Sequence, residues 1–242
     1  MNLKKIYKIA KQYTPTIEIM IIPETYRYNV IDSLQGNENI GIELGVAEGE
    51  FSKKMVDSGK FSDFYGVDMY ADTHDINEYK VALSTVGIRK KYKLLRMTFD
   101  DALDLFEDNF FDFIYIDGFA HTGEEGGETL NKWYKKLKVG GVFSGDDYHS
   151  DWPLVVWAVN NFIKQTDATL SVTDKVEVNV AFSGYPSWFI TKINDKNIEF
   201  TLPKTLQKSA NSEKIRIENK RKWRVKVKNI EWMVKKFLKN KA

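Results

Sequence analysis

Cysteine is absent from the 242 residues, which excludes both a disulfide framework and any thiolate metal site. Histidine is almost absent too, with only His74, His121 and His149 available as side chains that titrate near neutrality. No stretch approaches the roughly 18 uncharged apolar residues of a membrane span, and Lys8 and Lys11 interrupt the opening MNLKKIYKIAKQY well short of a signal peptide. The expectation is a cytoplasmic protein, either free or held peripherally at a membrane. What is present suffices for one sizeable core: 43% of residues are hydrophobic and 14% aromatic. The net charge of +2 conceals an asymmetry, because residues 204–242 carry +11 and the preceding 203 carry −9.

Between Asn39 and Gly145, short apolar runs alternate with longer amphipathic ones, the pattern of βα units that build a parallel sheet. The pattern predicts strands near 39–44, 62–68, 92–97, 111–117 and 139–145, with helices at 50–58, 75–87, 99–106 and 123–137. A helix at 151–165 follows, with Pro153 in its first turn, where the missing N–H costs nothing. Two more β runs, 176–182 and 187–193, are joined by the turn SGYP. The expected fold class is α/β, a doubly wound, mostly parallel, seven-stranded sheet. It divides into an N-terminal helical region over 1–38 (helices near 3–12 and 24–34), a core over 39–203 and a basic extension over 204–242.

The chemistry concentrates first in IGIELGVAEGEFSKKM, where an apolar strand ends in Glu43 and leads through Gly45 and Gly49 into a helix. Glycines allow a sharp turn and close backbone approach. A dinucleotide site would read GxGxxG, with a pyrophosphate on the helix N-terminus. Here Glu48 and Glu50 flank that N-terminus, so the loop suits a ligand whose polar end is cationic. Asp68 closes the strand FYGVD about twenty-five positions on, where a carboxylate can take two ribose hydroxyls. A nucleoside without phosphates fits this combination.

Over roughly 39–193 the sequence resembles the class I S-adenosylmethionine-dependent methyltransferases, whose first motif is an acidic residue followed by a Gly-rich turn. The resemblance implies that Glu43, Gly45, Val46, Ala47 and Gly49 line the amino-acid end of S-adenosylmethionine. It also implies that Asp68 binds the ribose, that Met69 covers the adenine, and that Thr98 and Phe99 flank it.

A second constellation is FDFIYIDGFAHTGEEGGETLNKWYKKLKVGGVFSGDDYH. One strand ends at Asp117, with His121 just beyond, and another ends at Asp146 and Asp147. Both ends face one rim of a parallel sheet, beside the ligand crevice. Three converging carboxylates need a cation, and hard oxygen donors suit Mg²⁺, Mn²⁺ or Ca²⁺ rather than zinc. The alternative is that Asp146 or Asp147 caps the helix beginning near Trp152. This stretch resembles the O-methyltransferases related to macrolide-sugar and cephalosporin-pathway enzymes, which implies a divalent ion at Asp117, Asp146 and Asp147. It departs from their pattern in that two residues, Phe119 and Ala120, separate the glycine from His121.

Methyl transfer to oxygen requires loss of the hydroxyl proton, and His121, His149 or Asp117 on this rim are the candidates to take it. The expected acceptor is a hydroxyl of a small polar metabolite or glycan component, with Trp152, Trp157, Tyr185 and Trp188 as a candidate wall. Metal-independent N- or O-methyl transfer and a silent cofactor-binding protein are alternatives. A nucleic-acid role for the basic tail is disfavoured by the acidic body and the lack of an NPPY-type motif. In that tail Ile230, Met233, Val234, Phe237 and Leu238 share one helical face, the pattern of a homodimer contact or of a hold on an anionic surface.

Overall fold

The computed structural model describes residues 3–71, 74–118, 127–177, 180, 183–199, 203–208, 211–212, 215, 219 and 223. Eight strands form a single sheet: β1 (Ile19–Ile22), β2 (Asn39–Leu44), β3 (Phe61–Val67), β4 (Tyr92–Leu95), β5 (Phe111–Ile116), β6 (Leu137–Gly145), β7 (Leu170–Thr173) and β8 (Trp188–Thr191). Their order is β1-β7-β8-β6-β5-β2-β3-β4, and every pairing is parallel except those of β8 with β6 and with β7. The α/β doubly wound class holds, with β1 as an eighth strand.

The central strands are apolar on both faces because helices cover both. Ile42, Leu44, Ile114 and Phe143 pack on one side, with α5 (Glu128–Tyr134), α6 (Pro153–Ile163) and α1 (Leu3–Tyr13). On the other side Phe64, Phe113, Tyr115 and Val142 pack under α2 (Glu50–Asp57). Helix α6 takes Pro153 at its start and buries nine of its eleven residues. Asp75 caps α3 (Ile76–Val86) by accepting from the amides of Asn77 and Glu78, and Thr98 caps α4 (Phe99–Leu103) through Asp101.

Two expectations are corrected. The helix expected over 24–34 is only a 3-10 turn, Arg27–Ile31, because Glu24 is left-handed (φ +55°) and Tyr26 is extended, so the chain turns before a helix can nucleate. The strand expected at 176–182 lies at Leu170–Thr173 instead; Leu170 and Val172 are buried, whereas of the later run's described residues Val176 and Glu177 are half-buried and Val180 is exposed. Residues 178–179 and 181–182 fall outside the described set.

Parallel pairing puts the C-terminal ends of β2, β3, β5 and β6 on one rim, which brings Gly45, Asp68, Asp117 and Asp146 together. The 3-10 turn reaches the same rim. The Thr25 amide donates to Asp174 Oδ1 (3.0 Å) and the Lys175 amide to the Thr25 carbonyl (3.1 Å), which ties the preceding segment to the end of β7.

Candidate active site

Glu43 is 1% exposed at the end of β2. Its carboxyl accepts from the Ser52 hydroxyl, which accepts in turn from Tyr92 (3.0 Å). Burial pushes the Glu43 carboxyl well above the usual carboxylate range, against the pull of the Ser52 hydrogen bond and of Arg27. A neutral acid here would be returned to its charged form by a cation arriving beside it.

Gly45 has φ +96°, and a Cβ there would lie 1.9 Å from the carbonyl oxygen of Asp117. The glycine is required by the approach of two strand ends to each other. Gly49, with φ +83°, is the N-cap of α2. Between them, the Val46 and Ala47 amides donate to one oxygen of Asp68 (3.0 and 3.1 Å), and the Tyr70 amide donates to the other (3.0 Å). Tyr70 completes the clamp by donating its hydroxyl to the Ala47 carbonyl (2.8 Å). Asp68 therefore shapes the Gly-rich loop, a role that spacing alone did not disclose.

Beside this loop lies a cavity of about 210 Å³. The Gly-rich loop and the start of α2, from Glu43 to Phe51, line it together with Asp117, Gly118, Arg27 and Tyr28, and Lys54, His74, Glu177, Val180 and Ser183 complete the lining. Lys54 pairs with Glu177 (3.3 Å), which accepts from Ser183 (3.0 Å).

Arg27 was not among the expected site residues. It is 8% exposed, and its guanidinium contacts Asp146 Oδ2 (3.1 Å) and Asp117 Oδ2 (3.4 Å). The Arg27 Cζ lies 4.9 Å from the Phe51 ring centroid and 5.4 Å from that of Tyr115. Ser187 donates to the other Asp146 oxygen (3.0 Å) and pairs with the Tyr115 hydroxyl (2.8 Å). Burial lifts Asp146 to about 7 although Arg27 pulls it down, while Arg27 itself is held fully charged by its acidic surroundings. A lone Arg inside the aromatic run YRYNVI, with Val30 and Ile31 buried, was the signal in the sequence.

The carboxylates do not fit the expected divalent ion. Asp117 and Asp146 converge, but on a guanidinium; Asp147 (φ +60°) is half-buried outside the cavity lining, and no group of three acidic or histidine side chains arranged to hold a metal occurs among the described residues. Capping fares no better, since the N-cap of α6 is Trp152, with no side-chain cap. His149 lies outside the lining, its Nδ1 accepting from the Asp151 amide (3.2 Å) and its ring 5.1 Å from that of Tyr185. His121 lies outside the described residues. His74 lines the cavity and is paired with Glu78. Asp68, Met69, Thr98 and Phe99 stand on the same rim beyond the cavity lining. Trp157 and Trp188 belong to the core.

Residues 42–148, from β2 to just past β6, match the family model of a methyltransferase domain. No curated protein matches the sequence. Among solved structures, an rRNA methylase from Streptococcus thermophilus is 14% identical with a TM-score of 0.50, over 69% of this chain and 94% of that one. The N-methyltransferase NodS from Bradyrhizobium japonicum is 11% identical with a TM-score of 0.50, over 79% and 96%. A Streptococcus mutans protein in complex with S-adenosylhomocysteine is 15% identical with a TM-score of 0.50, over 69% and 95%. At such identities the structures establish the fold, and the family match supplies the chemistry. Residues 42–148 thus match a methyltransferase domain, set in a fold that S-adenosylmethionine-dependent methyltransferases share. No helix among the described residues is long and apolar enough to cross a membrane.

Proposed function

We propose that the protein transfers the methyl group of S-adenosylmethionine to a hydroxyl of a small polar metabolite or glycan component. The observation that carries this reading is the cavity between the Gly-rich loop and Asp117, where a buried acid, Glu43, meets a loop clamped by Asp68. The ammonium of the cofactor would lie against Glu43 and the Gly45–Ala47 backbone, and its ribose against Asp68. The acceptor oxygen attacks the methyl carbon in line, the S–CH₃ bond breaks, its electron pair stays on sulfur, and S-adenosylhomocysteine leaves. The hydroxyl proton passes to Asp117 on this rim or to His121, which lies outside the described residues. A cavity of about 210 Å³ supports a small acceptor over a polymer.

Asp68→Ala is expected to weaken S-adenosylhomocysteine binding by roughly 10- to 150-fold, the equivalent of about 1.5–3 kcal/mol for a charge-assisted hydrogen bond. Calorimetry reads the loss, and unchanged affinity would remove Asp68 from the site. Mass spectrometry of products from matched hydroxyl and amine acceptors tests the rest: methylated amines with untouched hydroxyls would overturn the assignment to oxygen.

A further inference from the structure

The cluster at the end of β5 and β6 has the acidic composition of a divalent-cation site, yet the chain fills it with a side chain of its own. Arg27 arrives from the 3-10 turn, outside the βα units that build the rest of the rim, and bridges Asp117 and Asp146 at 3.4 and 3.1 Å. It cannot swing away cheaply. Its guanidinium packs beside the stacked rings of Phe51 and Tyr115, and its turn is fastened to the end of β7 through Thr25. On its far side Asp146 is fixed by Ser187, itself bonded to Tyr115, so the pair is built as a unit. Arg27 also lines the cavity, so its positive charge is presented where the reaction is placed.

We propose that Arg27 is a built-in cation that takes the place of a divalent ion, so that methyl transfer by this protein needs no metal and the guanidinium charge stabilises the acceptor oxygen as its proton leaves. A guanidinium suits the task, being permanently charged and matched to two carboxylates at once. It differs from a metal ion in offering no coordination site for exchange, and so it stabilises developing charge electrostatically. The statement about the acceptor oxygen rests on the reading of the cavity given above; the statement about the metal does not.

The test is a titration of the full-length protein with Mn²⁺ alone, followed by the loss of the free-ion paramagnetic resonance signal. It uses neither cofactor nor acceptor, so its failure is separable from a failure to bind S-adenosylhomocysteine. The wild type is expected to bind no Mn²⁺ at this cluster. Arg27→Met, which keeps the stem and removes the charge, is expected to take up one Mn²⁺ at least about tenfold more tightly than any site of the wild type, since two carboxylates on one rim are hard donors for it. Adding Asp146→Asn should abolish that site. Thermal melting with and without Mn²⁺ gives a second readout: the ion should raise the melting temperature of Arg27→Met and leave the wild type unmoved. One Mn²⁺ bound by the wild type and lost in Asp117→Asn overturns the proposal, as does a folded Arg27→Met that binds none. Should Arg27→Met fail to fold, the wild-type titration decides, together with Arg27→Lys, which keeps a positive charge and is expected to exclude the ion. Arg27→Lys that binds Mn²⁺ as tightly as a free carboxylate pair would contradict it.

Discussion

Gly45→Ala is expected to cost about 3 kcal/mol or more of stability and to lower the melting temperature by about 6–12 °C for a chain of this size. Two effects combine. An alanine at φ +96° is strained in its own backbone, and its Cβ would fall 1.9 Å from the Asp117 carbonyl oxygen, a backbone atom that cannot step aside. Asp117 is itself locked, since its amide donates to the Leu44 carbonyl (2.7 Å). Relief must therefore come from separating β2 from β5 at the rim, which shifts the Gly-rich loop and Asp117 together. Cofactor affinity should fall by at least about tenfold for the same reason, because displacements of about 1 Å in a positioned site carry large penalties. Gly59→Ala is the control: its φ of +74° is also left-handed, but a Cβ there meets nothing within 4 Å, so only the backbone term of about 1 kcal/mol applies. Equal melting temperatures for the two variants would show that the contact with Asp117 is not tight.

Arg27→Met is expected to destabilise by about 3–5 kcal/mol at alkaline pH, the usual cost of removing one partner from a buried ion pair. The loss should shrink toward acid. In the folded wild type, burial holds Asp146 at about 7, far above an unfolded carboxylate at about 3.9. Between those values the folded state binds a proton that the unfolded state does not, so this group's contribution falls as pH rises through the window and levels off above it. Without Arg27 the largest lowering influence is gone, and burial with the charges of Asp117 and Asp147 pushes the Asp146 carboxyl higher still, against the smaller pull of the Asp147 backbone hydrogen bond. The window then extends upward, and at pH 6 the variant can hold its proton instead of an unpaired charge. Urea denaturation at pH 6 and pH 9 should therefore show a larger gap between variant and wild type at pH 9. A gap that is the same at both values would mean that the Asp146 charge is not what Arg27 offsets.

The fold was legible because its period is strong. Apolar runs such as IGIEL and FDFIYI can only be strands covered on both faces, and Glu43, Gly45, Asp68 and Asp117 sit where such strands end. Two things were hidden. The first is that VEVNVAF alternates at least as well as LSVT, so β7 was placed six residues late; alternation marks a half-buried surface and does not say which of two candidates the sheet will take. The second is the occupant of the acidic cluster. Local spacing showed that Asp117 and Asp146 share a rim, but the charge that meets them comes from 90 and 119 residues away along the chain, on a segment read as part of a helix. Long-range pairing of this kind leaves no periodic signal. The face formed by Ile230 to Leu238, with the dimer and anionic-surface readings attached to it, lies outside the described residues. The described start of that extension docks through Leu206, which is fully buried in the core, and through Thr205, which donates to the Tyr13 hydroxyl (3.1 Å).

The most direct test of the central claim is a crystal structure of the full chain with S-adenosylhomocysteine. The amino-acid end of the ligand should lie in the cavity between Glu43, the Gly45–Ala47 backbone and Asp117, with its ribose hydroxyls at Asp68 and the Arg27 bridge to Asp117 and Asp146 intact. Density for the ligand at any other place on the protein, or no binding at millimolar concentration, would contradict it.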